Sequence, residues 1–321
     1  MKKLIGLMLC MMLVVSFSIV PSEASYSGKK VLFIDSYHEG YAWSDGITNG
    51  IKSVIDGKGI TLKIVRMDTK RNTSDDFKKE AALKAKAVIE DFKPDVVIAA
   101  DDNASKFLIE PYFKNSSVPF VFCGVNWDAS VYGYPYKNAT GMVEVTPVPQ
   151  LLEQLKIYAK GDRIGFLAPE LLTARKEAEN YRKVFGLTVT DYYAKDFEDY
   201  KKGFVELQKK VDILLLDSDG GLYQDKADEL KSFVEANTKV STGTTYDFMA
   251  NYALIDFAKI AEEQGSWSAA AALKILDGVS PSSIAIVQNK EGKLIINTRI
   301  AKTLGVEIPF EVIQSAQTVI E

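Results

Sequence analysis

Two cysteines, a single histidine and no surplus of positive charge set the first bounds on this chain of 321 residues. Cys10 lies in an apolar N-terminal stretch, so in a processed chain Cys123 would stand alone, with no internal disulfide possible. Cys123 sits in the apolar run Phe120-Val121-Phe122-Cys123, the setting of a buried, inert thiol. One histidine and one thiol cannot assemble a zinc site of the His/Cys kind. A Ser-His-Asp arrangement would have to use His38, and no Gly-x-Ser-x-Gly elbow occurs. The Gly-x-Gly-x-x-Gly and Gly-Lys-Ser/Thr phosphate-binding patterns are also missing. A net charge of −4 without basic blocks argues against a nucleic-acid partner. The sequence is poor in catalytic parts, so no enzyme, no metal and no cofactor is expected.

What is present begins with a leader. Lys2 and Lys3, the apolar stretch Leu4 to Val20 and the small-x-small site Ser22-Glu23-Ala24 predict a secretion signal over residues 1–24. A membrane anchor is the other reading of that stretch. The run is short for a span, about 20 residues being usual, and Gly6, Ser16 and Ser18 dilute it. Cys10 follows Leu7-Met8-Leu9, which is not the setting of a lipid-modified cysteine. The rest is expected to be secreted, to the periplasm or the outer face of the cytoplasmic membrane. It is long enough for two domains of roughly 100–200 residues each.

The stretch Val31 to Trp43 sets the pattern. Val31-Leu32-Phe33-Ile34 reads as a strand buried on both faces of a parallel sheet. A loop with His38 and the aromatics Tyr37, Tyr41 and Trp43 follows, then a helix pattern after Ser44 or Asp45, either a credible N-cap. The unit recurs at Leu62–Val65, Val96–Ala100 and Pro119–Cys123, with a helix from Ser74 to Pro94 between the first two. That alternation predicts a doubly wound parallel sheet with right-handed crossovers. Residues 128–149 are rich in turn formers and read as passage to a second domain. The alternation then restarts with strands Ile164–Leu167, Leu187–Val189 and Ile213–Leu216, and another opening at Val240. From Tyr246 a long alanine-rich helix, interrupted near Gly265, is expected to run to Leu276. Short strands around Ile284–Val287 and Leu294–Ile296 precede two closing helices.

Four segments carry a family resemblance. The tail Asn297-Thr298-Arg299-Ile300-Ala301-Lys302-Thr303-Leu304-Gly305-Val306-Glu307-Ile308-Pro309, with Ala316 and Val319-Ile320, is its most specific part. The others are Phe122-Cys123-Gly124-Val125-Asn126, Asn138-Ala139-Thr140-Gly141-Met142 and Lys274-Ile275-Leu276-Asp277-Gly278-Val279-Ser280-Pro281. Together these resemble the substrate-binding proteins of ABC transporters, in the group that includes tryptophan- and tyrosine-binding members. The likeness spans essentially the whole chain after the leader. It departs from the group at Asn126-Trp127-Asp128, where Thr-Asp-Pro is usual, and in the number of aromatics between Tyr37 and Trp43.

The resemblance implies a type I periplasmic-binding-protein fold, α/β, with two doubly wound parallel-sheet lobes joined by a three-stranded hinge. It implies an N-terminal lobe of residues 25–145 plus about 248–286 and a C-terminal lobe of 146–247 plus about 290–321. Crossings are expected near Glu144–Pro149, Thr244–Tyr252 and Gln288–Leu294. The implied function is capture of a small ligand, an amino acid or related zwitterion, for delivery to an ABC permease by a monomer. An extracellular module signalling ligand to a membrane sensor partner is the alternative.

Facing carboxyl-edge loops then supply the candidate ligand-binding residues. From the first lobe come Ser36, Tyr37, His38, Tyr41, Trp43, Asp102, Asn103, Asn126 and Trp127. The second contributes Glu170, Asp217, Ser218, Asp219, Thr242 and Tyr246. Aromatics supply apolar contact, and carboxylates orient a positive group. Asp102, Asp217 and Asp219 suit an α-amino group, although the last two also suit a helix cap. Ser36, Ser218 and Thr242 suit a carboxylate. His38 is expected as a neutral hydrogen-bonding group, not a base.

Overall fold

The computed structural model describes residues 26–218, 220–221 and 224–321; the expected leader lies outside them. The first half of the chain alternates β1 (Lys30–Asp35), α1 (Ala42–Ile55), β2 (Thr61–Arg66), α2 (Asp75–Phe92) and β3 (Val96–Ala100). A broken helix follows, made of α3 (Asp101–Ala104), a wide turn over Ser105–Ile109 and α4 (Glu110–Tyr112), and then β4 (Phe120–Asn126) and β5 (Ala139–Glu144). The second half holds α5 (Val148–Lys156), β6 (Ile164–Pro169), α6 (Leu172–Phe185), β7 (Val189–Ala194), α7 (Phe197–Leu207), β8 (Ile213–Leu216), α8 (Ala227–Asn237) and β9 (Ser241–Thr244). The chain closes with β10 (Ile255–Lys259), α9 (Ala261–Leu276), β11 (Val287–Gln288), β12 (Gly292–Asn297), α10 (Thr298–Leu304), α11 (Phe310–Ser315) and β13 (Thr318–Ile320).

Two sheets result. The first runs β11-β5-β4-β3-β1-β2 and the second β13-β12-β10-β9-β8-β6-β7. Each contains the doubly wound order in which the second strand lies outside the first and the third lies on its other side. The switch points are therefore β1/β3 and β6/β8, where carboxyl-edge loops diverge and leave a crevice. All pairings are parallel except β10 with β12. β1, β3 and β4 are buried almost throughout, because helices cover both faces of the first sheet.

Local signals explain the ends of the elements. The Ser74 side chain accepts the Phe77 N–H, Asp75 and Asp76 fill the first turn of α2, and Lys93 ends it in a left-handed conformation before Pro94. At α1 the helix begins at Ala42, with Tyr41 in the capping position. Ser44 and Asp45 therefore lie inside the first turn and are not the caps. Ser44 donates to Asp35 instead, and the Asp45 carboxylate accepts the Gly40 N–H. The strand expected at Leu187–Val189 starts at Val189, since Gly186 and Leu187 donate their N–H groups back to Arg182 and Tyr181 to close α6.

The largest departure lies after Tyr246. Asp247–Tyr252 forms a tight 3-10 helix and Ile255–Lys259 a strand of the second sheet, which the alanine-rich neighbourhood concealed. The segment 248–260 therefore sits with the second sheet, not the first, and the middle crossing falls at Lys259–Ala261 instead of Thr244–Tyr252. Helix α9 also runs unbroken through Gly265. That glycine serves a helix crossing: a Cβ there would meet the Ile47 carbonyl oxygen of α1 at 2.1 Å.

Candidate functional site

The carboxyl edge of the first sheet is built on two buried polar groups. Ser36, directly after β1, donates its hydroxyl to the Ala100 carbonyl and accepts the Ala104 N–H at 2.9 Å. Asp35, the last residue of β1, accepts from the Ser44 hydroxyl (2.8 Å), the Tyr37 N–H (3.0 Å) and the Arg66 guanidinium. These bonds hold the loop after β1 against β3 and α1.

From that base Tyr37, Tyr41 and Trp43 project. The two tyrosine rings meet edge-on at 5.5 Å, and the Lys70 ammonium stands 5.2 and 5.0 Å from their centroids. Lys259, at the end of β10, stands 5.5 Å from the Trp43 ring. With Asp101, Asn126 and Glu144 these residues line an open cavity of about 240 Å³. Three aromatic rings, two ammonium groups and two carboxyls thus converge on a space suited to a small solute.

The two carboxyls differ in their commitments. Glu144 ends β5 and is ion-paired with Lys259. Burial lifts its pKa, and the Lys259 charge opposes the shift. Asp101 follows β3 with a left-handed φ of 70°, which Asp adopts more readily than most residues. Its Oδ1 accepts the Trp43 Nε1–H at 3.0 Å, while Oδ2 has no partner among the described residues. Burial, then the Glu144 and Asp35 charges, hold its pKa well above the carboxylate range. The fit around it is close, since a Cβ on Gly124 would lie 2.7 Å from Asp101 Oδ1.

The second lobe supplies a wall that shares this field. Thr146, just past β5, donates its hydroxyl to Glu177 of α6. Burial raises the Glu177 pKa, and the Glu144 charge adds to the shift. Asp217, after β8, is hydrogen-bonded to Tyr246, and burial pushes its pKa up to about 7. Trp127 bridges the lobes. It follows β4 with a φ of 60°, donates its N–H to the Glu144 carbonyl at 2.9 Å, and sets its ring 6.3 Å from Tyr181 and 5.8 Å from Phe185 of α6.

Of the residues expected from sequence, Tyr37, Tyr41, Trp43 and Asn126 line the cavity. Asp217 and Tyr246 lie on the second-lobe wall, with Ser218 adjoining. His38 stands beside the cavity, with Nδ1 2.9 Å from the Glu39 carbonyl and its ring 5.8 Å from Tyr41. The others are engaged within the protein. Asp102 accepts from the Asn126 N–H and side-chain amide, Asn103 donates to the Thr69 hydroxyl at 2.8 Å, and Glu170 pairs with Arg175. Thr242 is buried, and its hydroxyl accepts the Leu254 N–H at 2.9 Å. Asp219 lies outside the described residues.

Sequence reasoning missed Lys70, Glu144, Lys259 and Glu177, and within the carboxyl-edge loop Asp101 to Asn103 it singled out Asp102 and Asn103, not Asp101. For Glu144 and Lys259 a signal existed: each is a charge closing an otherwise buried strand, where an unpaired charge is costly. Lys70, in a polar loop, gives none. Among the described residues no cluster of His, Cys, Asp and Glu suited to a metal ion occurs, and no helix is long and apolar enough to cross a membrane.

Comparison with known proteins agrees with this architecture. The family model of ABC transporter substrate-binding proteins matches residues 38–320. No curated protein sequence matches the chain. Among solved structures, the chain is similar to a substrate-binding protein with adhesive properties from Clostridium difficile in its ligand-free, open form. That pair shares 20% identity over 91% of this chain and 99% of the other, with a TM-score of 0.67. A periplasmic ribose ABC transporter from Conexibacter woesei shares 15% identity over 91% and 99%, with a TM-score of 0.57. An ABC domain in complex with L-Trp from Streptococcus pneumonia shares 17% over 92% and 100%, with a TM-score of 0.51. At these identities the likeness establishes a fold of two parallel-sheet lobes, the type I periplasmic-binding-protein architecture.

Proposed function

The chain belongs to the ABC transporter substrate-binding protein family, and from that premise we propose that its cleft captures an amino acid or a closely related zwitterion. Family membership makes it a binding protein that serves a permease and carries out no reaction of its own. The observation that carries the finer reading is the cavity of about 240 Å³ in which Tyr37, Tyr41 and Trp43 face Lys70, Lys259, Glu144 and Asp101. An apolar side chain packs on the rings, and the solute carboxylate is drawn to Lys70, whose ammonium has no carboxylate bonded to it among the described residues. The second-lobe wall of Glu177, Asp217 and Tyr246 closes over the solute, so the ligand is held by both lobes and favours the closed form. The protein works as a monomer outside the cytoplasmic membrane, after removal of residues 1–24.

A thermal-shift screen of amino acids, amines, sugars and nucleosides tests this reading. A ligand that binds only the folded state stabilises it by about 2.7 kcal/mol at 100 times its Kd. Amino acids should raise the midpoint, and Trp43→Ala should abolish that rise while leaving the ligand-free midpoint within a few degrees. Stabilisation by ribose or myo-inositol with amino acids silent would overturn the zwitterion assignment.

A further inference from the structure

We propose that Asp101 is the acceptor for the solute's positive charge: its carboxyl, which borders the cavity walled by Trp43, Tyr37 and Tyr41 and keeps one buried oxygen unpartnered among the described residues, receives an ammonium group. This deepens, and rests on, the reading that the cleft holds a zwitterion. Among the described residues two carboxyls line the cavity, and Glu144 is already paired with Lys259. Nearby, Asp102 is bound to Asn126, while Asp35 is taken by Ser44, Arg66 and the Tyr37 N–H. Among the described residues, Asp101 alone combines a place in the lining, 1% exposure and an unpartnered oxygen.

The backbone at Asp101 adopts a left-handed conformation, Trp43 fixes Oδ1, and Gly124 leaves room for the carboxyl where any side chain would collide. The fold thus holds a carboxyl in a sparsely populated backbone conformation with its second oxygen unsatisfied, an arrangement that an arriving cation completes. Aromatic faces beside a carboxylate form a recognised environment for an ammonium ion.

A proton follows from the same geometry. Asp101 faces Glu144 of β5, Asp35 of β1, the adjoining Asp102 and the Cys123 thiol of β4, while the cations nearby are Lys70, Lys259 and the Arg66 bound to Asp35. Burial and these negative neighbours raise the Asp101 pKa and favour its protonated form in the ligand-free site. An ammonium beside it favours the carboxylate, so the O–H bond breaks, the proton passes to solvent and a charge-assisted hydrogen bond forms. Affinity therefore falls as pH drops, by about tenfold per unit within the window between the free and bound pKa.

The test uses matched triplets: L-tryptophan, tryptamine and indole-3-propionate; L-leucine, 3-methylbutylamine and 4-methylpentanoate. Titration calorimetry in phosphate and in Tris reads both affinity and protons released. Amino acids and amines should bind the parent protein with about one proton released, and the deaminated acids should not bind. Asp101→Asn, which keeps the left-handed backbone and the acceptor for Trp43, should bind them about 10- to 100-fold more weakly. It should release no proton, whereas Glu144→Gln, whatever its affinity, still should. An amino acid that binds Asp101→Asn undiminished, proton release lost only in Glu144→Gln, or a deaminated acid that binds as tightly as its amino acid overturns this assignment alone. Silence from every amine and amino acid, with or without stabilisation by ribose, overturns it together with the zwitterion reading. Because the parent protein's proton release and preference within each triplet need no variant, a misfolded Asp101→Asn does not shelter the proposal.

Discussion

Asp256 offers a stability test whose sign and size follow from its surroundings. It lies in β10 opposite Ile295 of β12, is 1% exposed, and neither carboxyl oxygen has a partner among the described residues. Burial, then the Asp247 charge, pushes its pKa up to about 8 against the pull of Lys293. In the unfolded chain an aspartate titrates near 3.9. Between those values the folded state holds the extra proton, so the stability present in full below about pH 4 is lost as pH rises toward 8. Each unit is about 1.4 kcal/mol, which gives a ceiling of about 4 kcal/mol between pH 5 and pH 8. Structural relaxation and water entry reduce such ceilings, and about 2 kcal/mol is the working value. Asp256→Asn removes the charge at nearly constant shape. Thermal melts of the ligand-free proteins at pH 5 and pH 8 should therefore show the variant gaining about 4 °C on the parent across that interval, at about 2 °C per kcal/mol for a chain of this length. Asp217 titrates in the same direction but is present in both proteins, so the difference isolates Asp256. A parent–variant gap that stays flat with pH would refute the reasoning.

Three more outcomes can be checked separately. Gly265→Ala sets a methyl 2.1 Å from the Ile47 carbonyl oxygen, where backbone cannot yield locally; overpacking of about 2–3 kcal/mol outweighs a helix-propensity gain of about 1 kcal/mol, so denaturant melts should show a net loss. Lys259→Met strands the buried Glu144 carboxylate and should destabilise by about 3 kcal/mol, with Glu144→Gln/Lys259→Met recovering most of it in the same melts; equal losses in single and double variants would count against the pair. Trp127→Ala removes the ring lying against Tyr181 and Phe185, and small-angle scattering should then show a larger radius of gyration for the ligand-free protein.

The sheets were readable because their strands are buried on both faces and so appear as apolar runs, as at Val31–Ile34, Val96–Ala100 and Ile213–Leu216. β10 escaped because Ile255-Asp256-Phe257-Ala258-Lys259 mixes polar and apolar residues and abuts an alanine-rich helix. Its place is decided by pairing with β9 and β12, which no local window contains. The same limit applies to Gly265, read as a break in a helix when it is the contact point of two helices. In the cleft, Tyr37, Tyr41 and Trp43 were legible from the rule that ligands meet the carboxyl edge. Asp101 and Asp102 are indistinguishable as letters. Only the backbone turn at Asp101 directs one carboxyl to Trp43 and leaves the other to Asn126.

The placement of Glu144 and Lys259 links occupancy of the cavity to the hinge. Each is the last residue of a strand that leads into a crossing between lobes, and both line the cavity. The third crossing is tied to the first, since the Asn289 side chain accepts the Val145 N–H at 2.7 Å and donates to its carbonyl at 3.1 Å. Glu263 adds a clasp by accepting the Lys290 and Glu291 N–H groups at 2.8 and 2.9 Å. A charged solute group near the Glu144–Lys259 pair therefore acts on the strands that set one lobe against the other. Shifting a two-state hinge from 1:99 to 99:1 needs about 5.5 kcal/mol of differential affinity. One charge-assisted hydrogen bond supplies about 1.5–3 kcal/mol and aromatic packing about 1 kcal/mol more. Contacts to a single lobe fall short of that sum. Closure then requires the Glu177–Asp217–Tyr246 wall as well as the aromatic cavity, and loss of either side should leave a protein that binds weakly and stays open.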